Sequence, residues 1–219
     1  MDRILEPELM DDERQSIAYA KADFSTSNQL FVDSLIRDFP AGLHRAVDIG
    51  CGPGDVVIRL AHAVPGLHIT AIDGSAPMVA LARDAIRAAG LEERITLLRG
   101  QIPGGSLEDH AYDAILSKDL LHHLPDPSVL WKEARRLGRR GAFVYVMDLI
   151  RPTNPADARR IVDFVAASED PILQEDFYNS LCAAFTIDEV REQLAAAGLG
   201  LAVAKVSDRH MLISGVTSP

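Results

Sequence analysis

The stretch that decides the fold is DIGCGPGD, residues 48–55, in which every second position from 50 to 54 is glycine. It follows a short apolar run, RAVDIG, and precedes a helical pattern over 55–63. Glycines at this spacing let the backbone approach a ligand where a Cβ would collide, and the free N–H groups of a helix N-terminus bind a polar group. The stretch therefore predicts a strand, a tight ligand-binding turn and a helix.

Short apolar runs alternate with helical patterns from this stretch to residue 150. The runs are HITAID, RITLLRG, YDAILS and AFVYVMDLI, with helical patterns at 76–89 and 128–137 between them. Crossovers of this length join parallel strands, and runs that are apolar on both faces belong in a sheet covered by helices on both sides. Two last runs, LAVAKV and RHMLISG, are typical of a hairpin. The sequence predicts an α/β fold, namely a Rossmann-like, doubly wound, mostly parallel seven-stranded sheet with a C-terminal antiparallel hairpin.

Changes in the sequence pattern divide the chain into four segments. We expect a helical N-terminal cap over 1–41, an α/β core that binds the ligand over 42–150, a helical lid inserted over 151–185, and a helix with the closing hairpin over 186–219. Within the cap, helices are expected over 8–22 and 27–39, and the lid is expected to be mostly helical over 156–185. The helix after the lid begins with a capping box, Thr186 with Glu189.

Composition and charge narrow the range of partners. The 22 Lys and Arg residues against 32 Asp and Glu residues leave a net charge of −10, which disfavours nucleic acid and favours a small molecule or a protein. Cys51 and Cys182 stand far apart without a Cys or His cluster, so we predict neither a disulfide framework nor a metal site. The acidic start of the chain and the lack of a long apolar run predict a cytoplasmic protein without membrane insertion. Apolar side chains on the first two predicted helices can pack on the rest of the chain or on a second copy, so a homodimer is compatible with the sequence.

The spacing of acidic residues distinguishes between adenosine-containing ligands. Asp73 ends the second run, 19 residues after Gly54, where a carboxylate reaches the two ribose hydroxyls of a nucleoside. A dinucleotide site would need its third glycine where Asp55 stands, and an acid there repels a pyrophosphate. S-adenosylmethionine carries a sulfonium and an ammonium but no phosphate, so Asp48 can attract its cationic end.

Four ordered motifs resemble the class I S-adenosylmethionine-dependent methyltransferases. They are the glycine stretch 48–54, Asp73, the run YDAILS at 112–117 and the segment LHHLPDP at 121–127. The last is similar to the ubiquinone- and menaquinone-biosynthesis-like branch, whose members act on small molecules. The resemblance covers residues 42–150 and implies a cofactor, S-adenosylmethionine, that leaves as S-adenosylhomocysteine.

The resemblance implies a set of cofactor-binding residues at the carboxyl ends of the strands. They are Asp48, Gly50, Cys51, Gly52, Gly54, Asp73, Gly74, Ser75, Met78, Gln101, Ile102, Ser117 and Lys118. Gln101 departs from the family, in which many members carry an acid that accepts a bond from the adenine amino group. Tyr19, Asp23 and Phe24 in the cap are candidates to cover the carboxylate end of the cofactor.

Catalytic and acceptor-binding residues are expected near the fourth and fifth strands. His123 and Asp148 are candidates for a general base, and His122, Arg151 and Tyr178 are candidates to bind the acceptor. Structural roles compete with these, since one of two adjacent histidines is commonly structural and Asp148 could cap a helix or pair with Arg151.

Methyl transfer is an in-line displacement that needs alignment and exclusion of water more than any single side chain. We therefore expect a methyltransferase acting on a small-molecule acceptor. Two alternatives stay open at this point. One is a non-catalytic adenosylmethionine-binding or partner-activating protein, and the other is an NAD-dependent oxidoreductase.

Overall fold

One sheet of seven strands runs through the residues that the structure describes, which are 1–7, 9, 11–38, 42–104 and 107–217 of a computed structural model. Its strands are β1 (Arg45–Ile49), β2 (His68–Asp73), β3 (Ile95–Arg99), β4 (Tyr112–Lys118), β5 (Gly138–Leu149), β6 (Ala202–Lys205) and β7 (His210–Val216). They lie in the order β3-β2-β1-β4-β5-β7-β6. β1 to β5 are parallel, and β7 runs antiparallel to both β5 and β6.

Eight α-helices lie in the described ranges, and most of them begin with a side chain that caps their free N–H groups. They are α1 (Glu13–Lys21), α2 (Ser25–Asp38), α3 (Asp55–Ala63), α4 (Ala76–Ala88), α5 (Ser128–Leu137), α6 (Pro155–Val165), α7 (Pro171–Ala183) and α8 (Ile187–Ala197). Side chains of Asp12, Ser75, Asn154 and Asp170 cap α1, α4, α6 and α7. The predicted capping box of Thr186 and Glu189 is present at α8. In the described chain, no helix has the length and apolar character of a membrane span.

The alternation of side chains along each strand builds two apolar layers. On one face Ala46 and Tyr145 pack with α2, α3 and α4. On the other face Val47, Ile115 and Val144 pack with α5 and α8. Helices on both faces explain why these strands are apolar throughout, and they confirm the predicted doubly wound fold with its antiparallel hairpin.

The boundaries differ from the prediction at a few points. β5 begins at Gly138, four residues before its apolar run, because Gly138 pairs with Tyr112 across a register shift. The lid forms two helices, α6 and α7, and Pro155 starts the first of them because proline fits the first turn of a helix. α1 begins at residue 13, and α2 begins at Ser25. The expected ends at Glu8 and Phe39 lie outside the described residues.

The lid packs on itself and on the start of the chain. Ala158 and Val162 of α6 pack with Leu181 and Ala184 at the end of α7 and with Leu149 of β5. The Ile4 N–H donates to the Cys182 carbonyl at 3.0 Å, so residues 1–7 lie along the end of α7.

Candidate active site

A cavity of about 530 Å³ opens over the carboxyl ends of β1, β2 and β4. β1 and β4 are neighbours although they are far apart along the chain, and open α/β sheets bind ligands where the strand order reverses in this way. The glycine stretch forms one wall, and α1 and α2 cover the opening. Tyr19, Asp23 and Phe24 line this cover, with the rings of Tyr19 and Phe24 4.6 Å apart.

The glycine stretch takes a conformation that side chains would block. Gly50, Gly52 and Gly54 have positive φ angles of 77°, 52° and 89°. A Cβ on Gly50 would lie 2.9 Å from Leu120 Cδ1, whereas a Cβ on Gly52 would meet nothing within 4 Å. Gly50 therefore allows the turn to pack on the segment after β4, and Gly52 leaves the cavity open to a ligand.

Asp73 accepts hydrogen bonds from the glycine turn and can still accept hydrogen bonds from a ligand. Its Oδ2 accepts from Gly52 N–H at 2.8 Å, and its Oδ1 accepts from Ser75 N–H at 2.9 Å. Burial raises the pKa of Asp73, and these two hydrogen bonds oppose the rise. Each carboxylate oxygen has a second lone pair, so Asp73 can also accept from the two hydroxyls of a ribose.

Asp48 is a buried acid without a protein partner for one of its oxygens. Its exposed fraction is 2%, and Oδ1 has no hydrogen bond within the described part of the chain. Burial raises the pKa of Asp48 to about 7, with Asp73 adding to the rise and Lys118 opposing it. An unpaired carboxylate is costly to bury, so a cationic group bound in the cavity stabilises it.

The side chains after β2 and β3 meet across the cavity. Gly74, Ser75, Met78, Gln101 and Ile102 all line it, as does Cys51 in the turn. A Cβ on Gly74 would lie 2.8 Å from Gln101 Cγ, so these two loops lie in close contact. The structure therefore brings together most of the residues that sequence motifs assign to the cofactor.

Two of those residues lie behind the cavity wall. Ser117 is fully buried, and its hydroxyl donates to the Ile49 carbonyl at 2.8 Å, which joins β4 to β1. Gly54 begins α3, and a Cβ there would lie 3.3 Å from Ala82 Cβ. Both support the site without lining it. Lys118 does line the cavity, where it pairs with Asp119.

A group of histidines and acids adjoins the cavity after β4. His122 Nδ1 lies 2.7 Å from Asp148 Oδ1, and His123 Nδ1 lies 3.2 Å from Glu6 Oε1. Burial lowers the pKa of His122, but Asp148 and Glu6 outweigh it and bring that pKa to about 9. Burial and the charge of His122 lower the pKa of His123 to about 3, and burial raises the pKa of Glu6 to about 7. Of these four residues, His123 lines the cavity.

Comparison with known proteins shows a similarity over part of the chain. Residues 46–141, which include most of β1, all of β2 to β4 and the whole glycine stretch, match the family model described as a methyltransferase domain. This stretch, less than half of the chain, is similar to methyltransferase domains. The strand order agrees with the Rossmann-like sheet that the sequence predicts.

Three similar proteins illustrate the extent of the match. The chain is 32% identical over 110 residues to demethylmenaquinone methyltransferase of Bacillus cytotoxicus, which covers 50% of this chain and 46% of that protein. It is 27% identical over 159 residues to 27-O-demethylrifamycin SV methyltransferase of Amycolatopsis mediterranei, covering 71% and 53%. The chain thus spans about half the length of these curated relatives. The plantazolicin methyltransferase BpumL in complex with SAH shares the fold, with a TM-score of 0.75, 14% identity and coverage of 96% and 91%.

Two residues expected to bind the acceptor lie away from the cavity. Arg151 donates to Glu189 Oε1 at 2.6 Å and to the Ala184 carbonyl at 3.1 Å, so its charge is used to join the lid to α8. The Arg159 guanidinium lies 4.2 Å from the centre of the Tyr178 ring. The lid does not line the cavity in the described ranges, because its apolar faces pack on each other and on β5.

Sequence motifs missed several residues that line the cavity. Asn28 Nδ2 donates to Asp55 Oδ2 at 2.7 Å, and Arg59 Nε donates to the same oxygen at 2.7 Å, which ties α2 to the start of α3. Asp119 follows β4 with a φ of 55°, a strained conformation for a residue other than glycine. Asp55 and Arg59 stand four apart in one helix, and that spacing was the available signal for their pairing.

Proposed function

We propose that the chain transfers a methyl group from S-adenosylmethionine to a small-molecule acceptor bound in this cavity. The observation that carries the proposal is a pair of carboxylates, the buried Asp48 and the half-buried Asp73, beside an open glycine turn. Asp48 suits an ammonium group, and Asp73 suits a ribose. The cofactor supplies a methyl group on a positively charged sulfur, which makes a neutral thioether the leaving group.

The charges in the cavity favour this cofactor over a dinucleotide. Among the described lining residues the two cations, Arg59 and Lys118, are paired with Asp55 and Asp119. A pyrophosphate would therefore meet acids at the glycine turn and no unpaired cation. This argument disfavours an NAD-dependent oxidoreductase, and the complete glycine turn supports a catalytic domain over a non-catalytic binding protein.

Catalysis in this proposal rests on alignment. The glycine turn, Asp48 and Asp73 hold the cofactor at one end of the cavity, and Leu120, His123 and Leu124 form the wall near the end of β4. Placing an acceptor there in line with the transferring methyl, with α1 and α2 excluding water, lowers the barrier by up to about 7 to 11 kcal/mol.

We propose that His123 contacts the acceptor and that Asp148 is a positioning residue. Asp148 is 1% exposed, and it accepts from Leu121 N–H at 2.7 Å and binds His122 Nδ1, so it orders the turn that carries His123. The names of the relatives demethylmenaquinone methyltransferase and 27-O-demethylrifamycin SV methyltransferase support an organic small-molecule acceptor.

The first test is thermal unfolding with S-adenosylmethionine, S-adenosylhomocysteine or NAD. At a ligand concentration of 100 times Kd, binding adds about 2.7 kcal/mol to the free energy of unfolding. We expect the melting temperature to rise by several degrees with the first two ligands and to stay unchanged with NAD. A rise with NAD alone would contradict the proposal. Turnover of phenols, quinols, amines and thiols with labelled S-adenosylmethionine then separates a methyltransferase from a protein that only binds the cofactor.

A further inference from the structure

Methyl transfer leaves unexplained why an acid from the first residues of the chain lies between a buried histidine, His122, and a half-buried one, His123. Glu6 Oε1 is 3.2 Å from His123 Nδ1 and 3.5 Å from His122 Nε2, and the three atoms lie within 4.8 Å of one another. Glu6 Oε1 and His123 Nδ1 are buried and make no hydrogen bond of acceptable geometry to the described residues. Two unsatisfied buried atoms that face each other point to a ligand between them.

We propose that Glu6, His122 and His123 bind a divalent transition metal ion, with Zn²⁺ as the best match. Two imidazole nitrogens and one carboxylate oxygen form a known type of catalytic zinc site, in which a fourth position stays open. The sequence predicted no metal site, because Glu6 is 116 residues before His122 and only the folded chain brings them together.

The distances agree with a shared metal ion. Zinc binds nitrogen and oxygen ligands at about 2.1 Å, so two ligands of a tetrahedral ion lie about 3.4 Å apart. The two measured separations from Glu6 Oε1, 3.2 and 3.5 Å, lie on either side of this value. The third separation, between the two ring nitrogens, is within 4.8 Å, so side-chain shifts can bring all three atoms to one ion.

Neighbouring groups leave the three ligand atoms available. Asp148 Oδ1 lies 2.7 Å from His122 Nδ1, and this contact directs the other ring nitrogen, Nε2, towards Glu6. A carboxylate behind a histidine in this way is the usual support of a zinc ligand, because it fixes the tautomer and the ring orientation. Ser180 Oγ donates to Glu6 Oε2 at 3.3 Å, so Oε1 is the oxygen that faces the histidines.

The contacts of Arg3 hold the first residues of the described chain beside the turn that carries the two histidines, and they thereby position Glu6. Arg3 donates to the carbonyls of Ala183, His122 and Leu124, and its guanidinium lies 3.9 Å from the centre of the Phe185 ring. Two of those carbonyls belong to the turn that carries the histidines. This arrangement fixes Glu6 relative to both ring nitrogens, as a preformed site requires.

Charge also favours a dication. Glu6 and Asp148 carry two negative charges when ionised, and a divalent ion bound to neutral histidines balances both.

The site adjoins the cavity through His123 and Leu124, which both line it. The fourth position of the ion can then take an oxygen or nitrogen atom of a molecule in the cavity. This last step rests on the proposed function and favours acceptors with a metal-coordinating oxygen, whereas metal binding itself does not depend on methyl transfer.

The test is metal binding by the full chain without cofactor or acceptor. After dialysis against a chelator, Zn²⁺ is titrated by calorimetry, and Co²⁺ is titrated by the visible absorption of its tetrahedral complexes. We expect one ion per chain and the absorption of a four-coordinate cobalt site. A binding ratio near zero for both metals would overturn the proposal.

Variants show whether the ion is at these residues. Asp148→Asn should weaken Zn²⁺ binding roughly 10- to 100-fold because it removes the supporting carboxylate. Glu6→Gln, which keeps an acceptor for Ser180, should weaken it by more, because it removes a ligand. His62→Gln at an exposed position is the matched control and should leave affinity unchanged. Equal affinity in Glu6→Gln and the native chain would place the metal elsewhere and refute the site.

Folding and cofactor binding are measured in the same variants. Thermal unfolding and S-adenosylhomocysteine titration should stay close to native in Glu6→Gln, because the glycine turn and Asp73 are untouched. A chain that binds S-adenosylhomocysteine but no metal refutes the metal site alone, and a chain that binds metal but no S-adenosylhomocysteine refutes the proposed function alone.

Discussion

At the scale of single residues, Asp48 is the side chain that the proposed function places in contact with the ammonium group of the cofactor. Replacing it by Asn keeps its size and removes its charge, and a hydrogen bond to a charged group contributes about 1.5 to 3 kcal/mol. We therefore expect Asp48→Asn to weaken S-adenosylhomocysteine binding by roughly 10- to 100-fold, measured by calorimetry. The exposed Asp84→Asn variant is the control and should bind normally. Unchanged affinity in Asp48→Asn would remove the ammonium contact from the proposal.

The same residue gives a pH dependence with a definite sign. Burial raises the pKa of Asp48 to about 7, well above its value in an unfolded chain. The folded state then binds more protons than the unfolded state between about pH 4 and 7, so this contribution to stability is lost as the pH rises through that range. Without cofactor, Asp48→Asn should become progressively more stable than the native chain from pH 4 to pH 7 in denaturant titrations. A stability difference that does not change with pH would contradict the shifted pKa.

Replacing Gly50 tests the role of the glycine turn, and the same replacement at Gly66 is the matched control. Gly50→Ala and Gly66→Ala both place a side chain at positive φ, which costs about 1 to 2 kcal/mol, but only the first meets another side chain, Leu120 at 2.9 Å. We expect Gly50→Ala to lose more stability than Gly66→Ala and to lose cofactor affinity as well, by thermal unfolding and calorimetry. Equal effects of the two variants would show that the contact with Leu120 has no role.

At the scale of elements, a substitution at the start of α8 should change stability without changing ligand binding. Its capping box is formed by Thr186 and Glu189. The helix packs on the same face of the sheet as α5. Thr186→Ala should lower the free energy of unfolding by about 1 kcal/mol and leave cofactor affinity unchanged. The exposed Thr26→Ala, near the start of α2, is the control for the loss of a threonine and should change stability little. A loss of affinity in Thr186→Ala would mean that α8 is coupled to the cavity.

Elements built from local pattern were predictable, and elements placed by distant contacts were not. The bounds of α3 and β2 follow from glycine turns and apolar runs that lie within a few residues of each element. The lid helices were also predicted from local pattern, but their position was not. Tyr178 was expected to bind the acceptor because aromatic and polar residues often enclose a ligand. It lies instead beside Arg159, because α6 and α7 pack on each other.

At the scale of the whole molecule, the sequence predicted which residues line the cavity around Asp48 and Asp73, where we propose that the cofactor binds, better than it predicted the lining elsewhere. Asp48, Asp73 and Gly74 lie on loops that immediately follow strands of the sheet, so their convergence follows from strand order alone. The turn that carries His123 depends on Glu6, and the cover over the cavity depends on α2, and these contacts span tens to more than a hundred residues of chain. Such contacts depend on the packed structure and leave no periodic signal in the sequence.

The position of β7 has a consequence for the order in which the sheet forms during synthesis. β7 is the last strand of the described chain to leave the ribosome, yet it lies between β5 and β6 and pairs with both. Until residues 210–216 emerge, β5 has an unpaired edge and β6 has no neighbour in the sheet. The two apolar layers can therefore be completed only after synthesis has passed residue 216, and a nascent chain that stalls earlier exposes a strand edge that favours association with other chains.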